Sequence, residues 1–180
     1  MTVKRLFFGI GIDESGQQQI HDWLTHQVIS RKRLLRPANL HLTLAFLAEV
    51  DEKLIPELIA FARTLDFTAF SLMFKDTGYW PHNGIFYLKP VEHPPALLDL
   101  ANTLRDHASN LGLYQNPFGF APHITLLRGE KPRPNVHADF PSLHQTIRSF
   151  HLYHSHRDER GLVYEPIATF TATNCHDHLS

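Results

Sequence analysis

Two short strings place the same residue types at the same spacing: His41-Leu42-Thr43-Leu44 and His123-Ile124-Thr125-Leu126, with their histidines 82 positions apart. Side chains alternate between faces along an extended strand, so each string sets an imidazole and a hydroxyl on one face and two aliphatic groups on the other. If both polar faces meet in one cleft, two imidazoles and two hydroxyls surround a common point. That set suits a phosphodiester. One neutral ring activates water on one side of phosphorus, one protonated ring gives its proton to the leaving oxygen on the other, and the hydroxyls donate to the non-bridging oxygens. A single His-x-Thr says little, because His and Thr often decorate exposed strand faces. A duplicated pair beside an apolar face has no packing reason to recur.

The elements that must position these residues read as a repeat. Leu6 to Ile12 is a strand, followed by an amphipathic helix with Ile20, Trp23, Leu24 and Val28 at helical spacing and Asp13 or Ser15 as its cap. After a basic loop broken by Pro37, Leu40 to Leu47 alternates, with Leu40, Leu42, Leu44 and Phe46 assigned to the buried face. A helix over about Leu54 to Leu65 and a strand over Phe67 to Phe74 follow. The same order then recurs: a strand at Gly84 to Leu88, a helix opened by Pro94-Pro95 and stopped by Gly112, the strand from His123, and a strand over about Ser149 to Ser155. Phe7 precedes His41 by 34 residues and Phe86 precedes His123 by 37. The expectation is one α+β domain over residues 1–180, internally duplicated at approximately 1–80 and 81–180. Each half is expected to give an antiparallel sheet with helices on its outer side and the cleft between the two.

The two His-x-Thr strings match the paired motifs of the 2H phosphoesterase superfamily. The longer strings Asn39 to Leu47 and Pro122 to Arg128, with the opening Arg5-Leu6-Phe7-Phe8, resemble its bacterial RNA 2',3'-cyclic phosphodiesterase branch, historically called 2'-5' RNA ligase. The resemblance covers nearly the whole chain. It implies a bilobal fold, no cofactor and no metal, and hydrolysis of RNA 2',3'-cyclic phosphate ends, such as those of tRNA halves, to 2'-phosphomonoesters. It also implies His123 as proton acceptor, His41 as proton donor, and Thr43 and Thr125 as phosphate ligands. Ligation through a 2'-5' linkage is the reverse chemistry, ranked second because water outcompetes an RNA end that is not held in place. Cyclic-phosphate hydrolysis on a small nucleotide and a non-catalytic RNA-end binding module remain as alternatives.

Arg128 matches a basic residue of the same branch and could bind phosphate in bidentate fashion. Its offset of five from His123 points it to the opposite face unless the strand bends or ends there. Arg31, Lys32, Arg33 and Arg36, with Arg128, Lys131 and Arg133, flank the two motifs and suggest a local basic rim for RNA. Phe7, Trp80 and Tyr87 are candidates to stack on a terminal base. A rival reading takes His151, His154, His156, His176 and His178 as a zinc or nickel site. Against it, alternation parts His151 and Tyr153 from His154 and His156, and no carboxylate sits in obvious register.

Composition limits what else the chain could do. It has 180 residues, 43% hydrophobic and 19% charged, with 17 Lys and Arg against 18 Asp and Glu for a net charge of -1. That balance argues against a broad basic surface for long duplexes and confines nucleic-acid contact to a local site. The single cysteine, Cys175, excludes an intramolecular disulfide framework and a four-cysteine zinc site. No stretch reaches the roughly 18 to 20 apolar residues of a membrane span. A cytoplasmic monomer with no obligate protein partner is expected.

Overall fold

Alternating apolar side chains build ten strands, and 3.6-residue apolar stripes build three α-helices, in the computed structural model, which describes residues 2–173. In chain order these are β1 (Val3–Gly11), α1 (Glu14–Gln27), β2 (Val28–Ile29), β3 (His41–Asp51), α2 (Ile55–Arg63), β4 (Phe70–Trp80) and β5 (Ile85–Pro90). Then follow α3 (Pro95–Asn110), β6 (Ile124–Leu127), β7 (Asn135–Val136), β8 (Leu143–Ile147), β9 (Ser149–Asp158) and β10 (Gly161–Thr171). No helix among the described residues is long and apolar enough to cross a membrane.

Local chemistry explains the helix ends. Asp13 caps α1 by accepting from the Gly16 amide at 2.7 Å. α3 opens on Pro94 and Pro95, buries Leu97, Leu100, Ala101, Leu104 and Ala108, and stops where Gly112 takes φ +74°. There the Leu113 and Gly112 amides donate to the Ala108 and Ser109 carbonyls at 3.0 and 2.9 Å, a Schellman termination that only a left-handed residue permits. Pro56 occupies the first turn of α2, where its missing N–H costs nothing.

Eight strands form one antiparallel sheet in the order β10-β9-β1-β3-β6-β5-β4-β8, while β2 and β7 pair separately. The expectation of two sheets is thereby corrected. The motif strands β3 and β6 are central neighbours joined at Leu42–Ile124, so the sheet continues across the middle. β4, which follows the first motif, pairs with β5 and β8; β9, which follows the second, pairs with β1 and β10. Each crosses to the far half, a long-range choice that alternation cannot encode. The strands at Leu143–Ile147 and Gly161–Thr171 were not anticipated either. Pro166 and a bulge between Pro166 and Ala168 interrupt the pattern of the latter, as edge strands tolerate.

Bulges reset the alternation of the motif strands, two in β3, one of them at Leu47 between Phe46 and Ala48, and one in β6. Along β3, Gly9 pairs with Thr43 but Phe8 with Ala45, so Leu44 is the extra residue and both Leu44 and Ala45 face the core. Phe46 therefore leaves the buried face assigned to it. It stands half-buried on the other side, under the Arg5 guanidinium and against Tyr114, while Leu47 is fully buried. In β6, Tyr87 pairs with Thr125 but Phe86 with Leu127, and Leu126 is the extra residue.

Gly84 makes the tightest backbone approach in this frame. It has φ +67°, and a Cβ there would lie 2.7 Å from the backbone N and O of Glu130. Gly84→Ala is expected to lower unfolding free energy by about 3 kcal/mol through clash and left-handed strain. Gly112→Ala, with φ +74° and open space around it, is expected to cost about 1 kcal/mol. Urea denaturation midpoints compare them; equal losses would contradict the close approach.

Candidate active site

The site is built from one cross-strand pair. Leu42 opposite Ile124 in an antiparallel ladder sets His41 beside Thr125 and Thr43 beside His123. Leu42 and Ile124 are wholly buried on the core side, so the polar members of both strings take the other face together. His41 is the first residue of β3 and His123 immediately precedes β6.

Both rings are held the same way. Nδ1 of His41 lies 2.7 Å from the Asn39 carbonyl, and Nδ1 of His123 lies 2.7 Å from the Ala121 carbonyl, each two residues back. A carbonyl only accepts, so Nδ1 must carry a proton in both rings, leaving Nε2 as the atom that gains or loses one. Asn39 is itself fixed, donating to the Leu162 carbonyl at 2.9 Å and accepting from the Tyr164 amide at 3.1 Å. The Thr43 hydroxyl sits 2.9 Å from Nε2 of His41.

Aromatic side chains wall each ring. Phe7 and Tyr164 lie 4.7 and 4.9 Å from the His41 ring centroid and Tyr153 lies 6.0 Å away. Trp80 and Tyr87 lie edge-on to His123 at 4.7 and 5.5 Å. Of the three aromatics named from sequence, Trp80 and Tyr87 border His123, whereas Phe7 is packed away between His41 and Tyr153. Tyr153 and Tyr164 were missed, since an isolated tyrosine on an alternating strand carries no positional signal. Their phenol rings also bound an open cavity of about 480 Å³ that runs past Gly11 and His151 to Arg148.

The β6 bulge decides where Arg128 goes. Leu126 and Leu127 both turn to the core, so Arg128 emerges on the side of Thr125 rather than opposite it. Its charge acts on both histidines, helping to hold each below the ordinary imidazole range. Burial is the larger cause at both, and for His41 it brings the pKa down to about 4, with the nearby His123 adding repulsion.

The basic segments meet as well. β2 and β7 pair through Val28–Val136 and Ile29–Asn135, which lays residues 30–33 beside 129–133. Glu130, fully buried, clamps them: its carboxylate accepts from the Ser30 hydroxyl at 2.9 Å and from the Arg31 and Lys32 amides at 3.0 and 2.9 Å. Arg31 donates to the Lys131 carbonyl at 3.1 Å. Arg36 is engaged by Asp158, and Arg133 donates to Thr77 at 3.1 Å. A lone glutamate in a basic stretch gave no sign of this role.

The histidines of the rival metal reading are divided. His151 sits on the cleft side and its Nδ1 lies 2.9 Å from the Thr169 hydroxyl, apart from His154 and His156. His176 and His178 lie outside the described residues.

The depressed His41 pKa fixes a pH dependence. The unfolded chain takes up this proton near pH 6.5 and the folded chain only near 4, so the unfolded state binds more protons in between. Stability is therefore full above pH 6.5 and falls as pH drops toward 4, at up to about 1.4 kcal/mol per pH unit for one proton. In His41→Gln the slope of unfolding free energy against pH over that window is expected to shrink by roughly one proton. Urea titrations at stepped pH measure it, and an unchanged slope would contradict the assignment.

The chain is similar to known proteins over most of its length. The 2'-5' RNA ligase superfamily model matches residues 13–159. A protein of Escherichia coli K12 named RNA 2',3'-cyclic phosphodiesterase is 32% identical over 94% of this chain and 97% of its own length. A protein of the same name from Thermotoga maritima is 30% identical over 89% and 91%. The crystal structure of E. coli LigT complexed with 3'-AMP superposes with a TM-score of 0.86 at 30% identity, covering 96% of this chain and all of that one. With a family model over most of the chain, relatives at 30% identity or more over nearly its full length and a full-length structural match, the chain belongs to the 2'-5' RNA ligase superfamily, in its LigT-type RNA 2',3'-cyclic phosphodiesterase family.

Proposed function

We propose that this protein hydrolyses RNA 2',3'-cyclic phosphate ends to 2'-phosphomonoesters by acid–base catalysis between His41 and His123, without a metal. The observation that carries the reading is the matched pinning of both rings at Nδ1, which leaves Nε2 as the proton-exchanging atom of each on neighbouring strands. Relatives named for the same activity over nearly the full chain support it.

In the step, water attacks phosphorus in line with the 3'-oxygen. The new P–O bond forms as the water proton passes to Nε2 of His123, and the P–O3' bond breaks as O3' takes the proton from Nε2 of His41. Thr43, Thr125 and Arg128 donate to the non-bridging oxygens, where charge gathers. The Thr43 hydroxyl now facing His41 Nε2 needs only a rotation about χ1 to reach the phosphate. The phosphate anion also counteracts the repulsion from Arg128 and His123, raising the His41 pKa so that it can hold its proton.

The rim held by Glu130 extends the site along the RNA backbone. Arg31, Lys32, Lys131 and Arg128 give a local positive edge on a chain of net charge -1, which fits an RNA terminus better than a long duplex.

In excess chelator, a nucleoside 2',3'-cyclic phosphate should be converted to the 2'-phosphate. His41→Ala and His123→Ala should each lower kcat by ~100- to 10,000-fold. Binding without turnover would leave a non-catalytic RNA-end module. The alkaline limb of kcat should lie at higher pH than that of kcat/KM, because bound phosphate stabilises the protonated ring; coincident limbs would contradict this. For an oligonucleotide, Lys32→Ala with Lys131→Ala should flatten the salt dependence of log KM by about 0.7 for each phosphate no longer neutralised. KM for the mononucleotide should not move, and an equal change in both substrates would remove the rim from the reading.

A further inference from the structure

We propose that His154, His156 and Glu165 form a binding site for one divalent transition-metal ion of the zinc type, on the sheet face opposite the cleft. One potential ligand atom from each residue lies within 4.8 Å of the other two. His154 and Glu165 face each other across the β9–β10 ladder, which supplies the carboxylate in register that the sequence did not reveal. His156, two residues along on the same face, already places Nε2 3.0 Å from Glu165 Oε1, and the two imidazole centroids are 4.8 Å apart. Tetrahedral zinc with bonds of about 2.0 to 2.1 Å needs ligands roughly 3.3 Å apart, a closure that rotation of the exposed Glu165 and small turns of the half-buried imidazoles would make.

The chemistry of the set is selective. Two neutral imidazoles and one carboxylate suit zinc, nickel or copper far better than magnesium or calcium, which prefer all-oxygen shells. The His154 ring nitrogens have no hydrogen-bond partner among the described residues, so a lone pair is open to an ion. Three protein ligands leave one position for water.

The position gives the ion a structural consequence. His154 lies opposite Leu6 of β1 on the core-side face, whereas its neighbour Tyr153 lies opposite Phe7 on the cleft side. An ion held by Glu165 would staple the edge strand β10 to β9. Tyr164, adjacent to Glu165, is the residue that stands edge-on to His41.

The test titrates tag-free, chelator-stripped full-length protein with zinc chloride by calorimetry. His154→Gln with His156→Gln, Glu165→Gln alone, and a tail control with His176→Gln and His178→Gln are run in parallel. Wild type and tail control should bind one zinc per chain with equal affinity. The double variant and Glu165→Gln should bind about tenfold or more weakly. At a hundredfold excess over the wild-type Kd, zinc should raise Tm of the wild type by about 5 °C and that of the double variant by about half as much or less. Metal-free melting curves show whether the variants fold. Absence of binding in the wild type, unchanged binding in the double variant, or loss in the tail control alone would overturn the site.

Discussion

The site depends on a single backbone pairing, Leu42 with Ile124, at the centre of the sheet. It joins the two halves of the molecule and fixes the register in which each histidine lies beside the other string's threonine. A slip of one residue between them would turn one string's histidine to the core and its aliphatic row to solvent, so the apolar burial of β3 and β6 enforces the geometry of the candidate site. Fold stability and placement of the reactive groups are here one constraint.

Around that pairing the chain uses backbone irregularity as an aiming device. The extra residues Leu44 and Leu126 fall at corresponding places, three after each histidine, and each sends the residue five after the histidine onto the cleft side. In the first strand that residue is Phe46, covered by Tyr114 and Arg5. In the second it is Arg128, whose charge reaches both imidazoles. The same local geometry thus delivers a packing residue on one side and a cation on the other.

Much of this was legible in the residues. Period-two alternation gave the faces of His41, Thr43, His123 and Thr125, and Asp13, Pro95 and Gly112 marked helix ends through their own backbone chemistry. What could not be read was set by distant parts of the chain. The crossing of β4 and β9 to opposite halves is a pairing decision between strands far apart in sequence. The clamp of Glu130 on residues 30–32 spans about a hundred positions, and the bulges that moved Phe46 and Arg128 leave the composition of their strands unchanged. Glu165 comes into register with His154 only through the β9–β10 hairpin.

The central claim is that two Nε2 atoms share one phosphate, and histidine nitrogen NMR reads it directly. Protein labelled with ¹⁵N in its imidazoles should show both His41 and His123 in the Nδ1–H form when free. On titration with a nucleoside 2'-phosphate, the Nε2 signals of both rings should shift together, saturating at one equivalent, with both pKa values raised. A shift confined to one ring, or a free-state proton on Nε2 in either, would contradict the account.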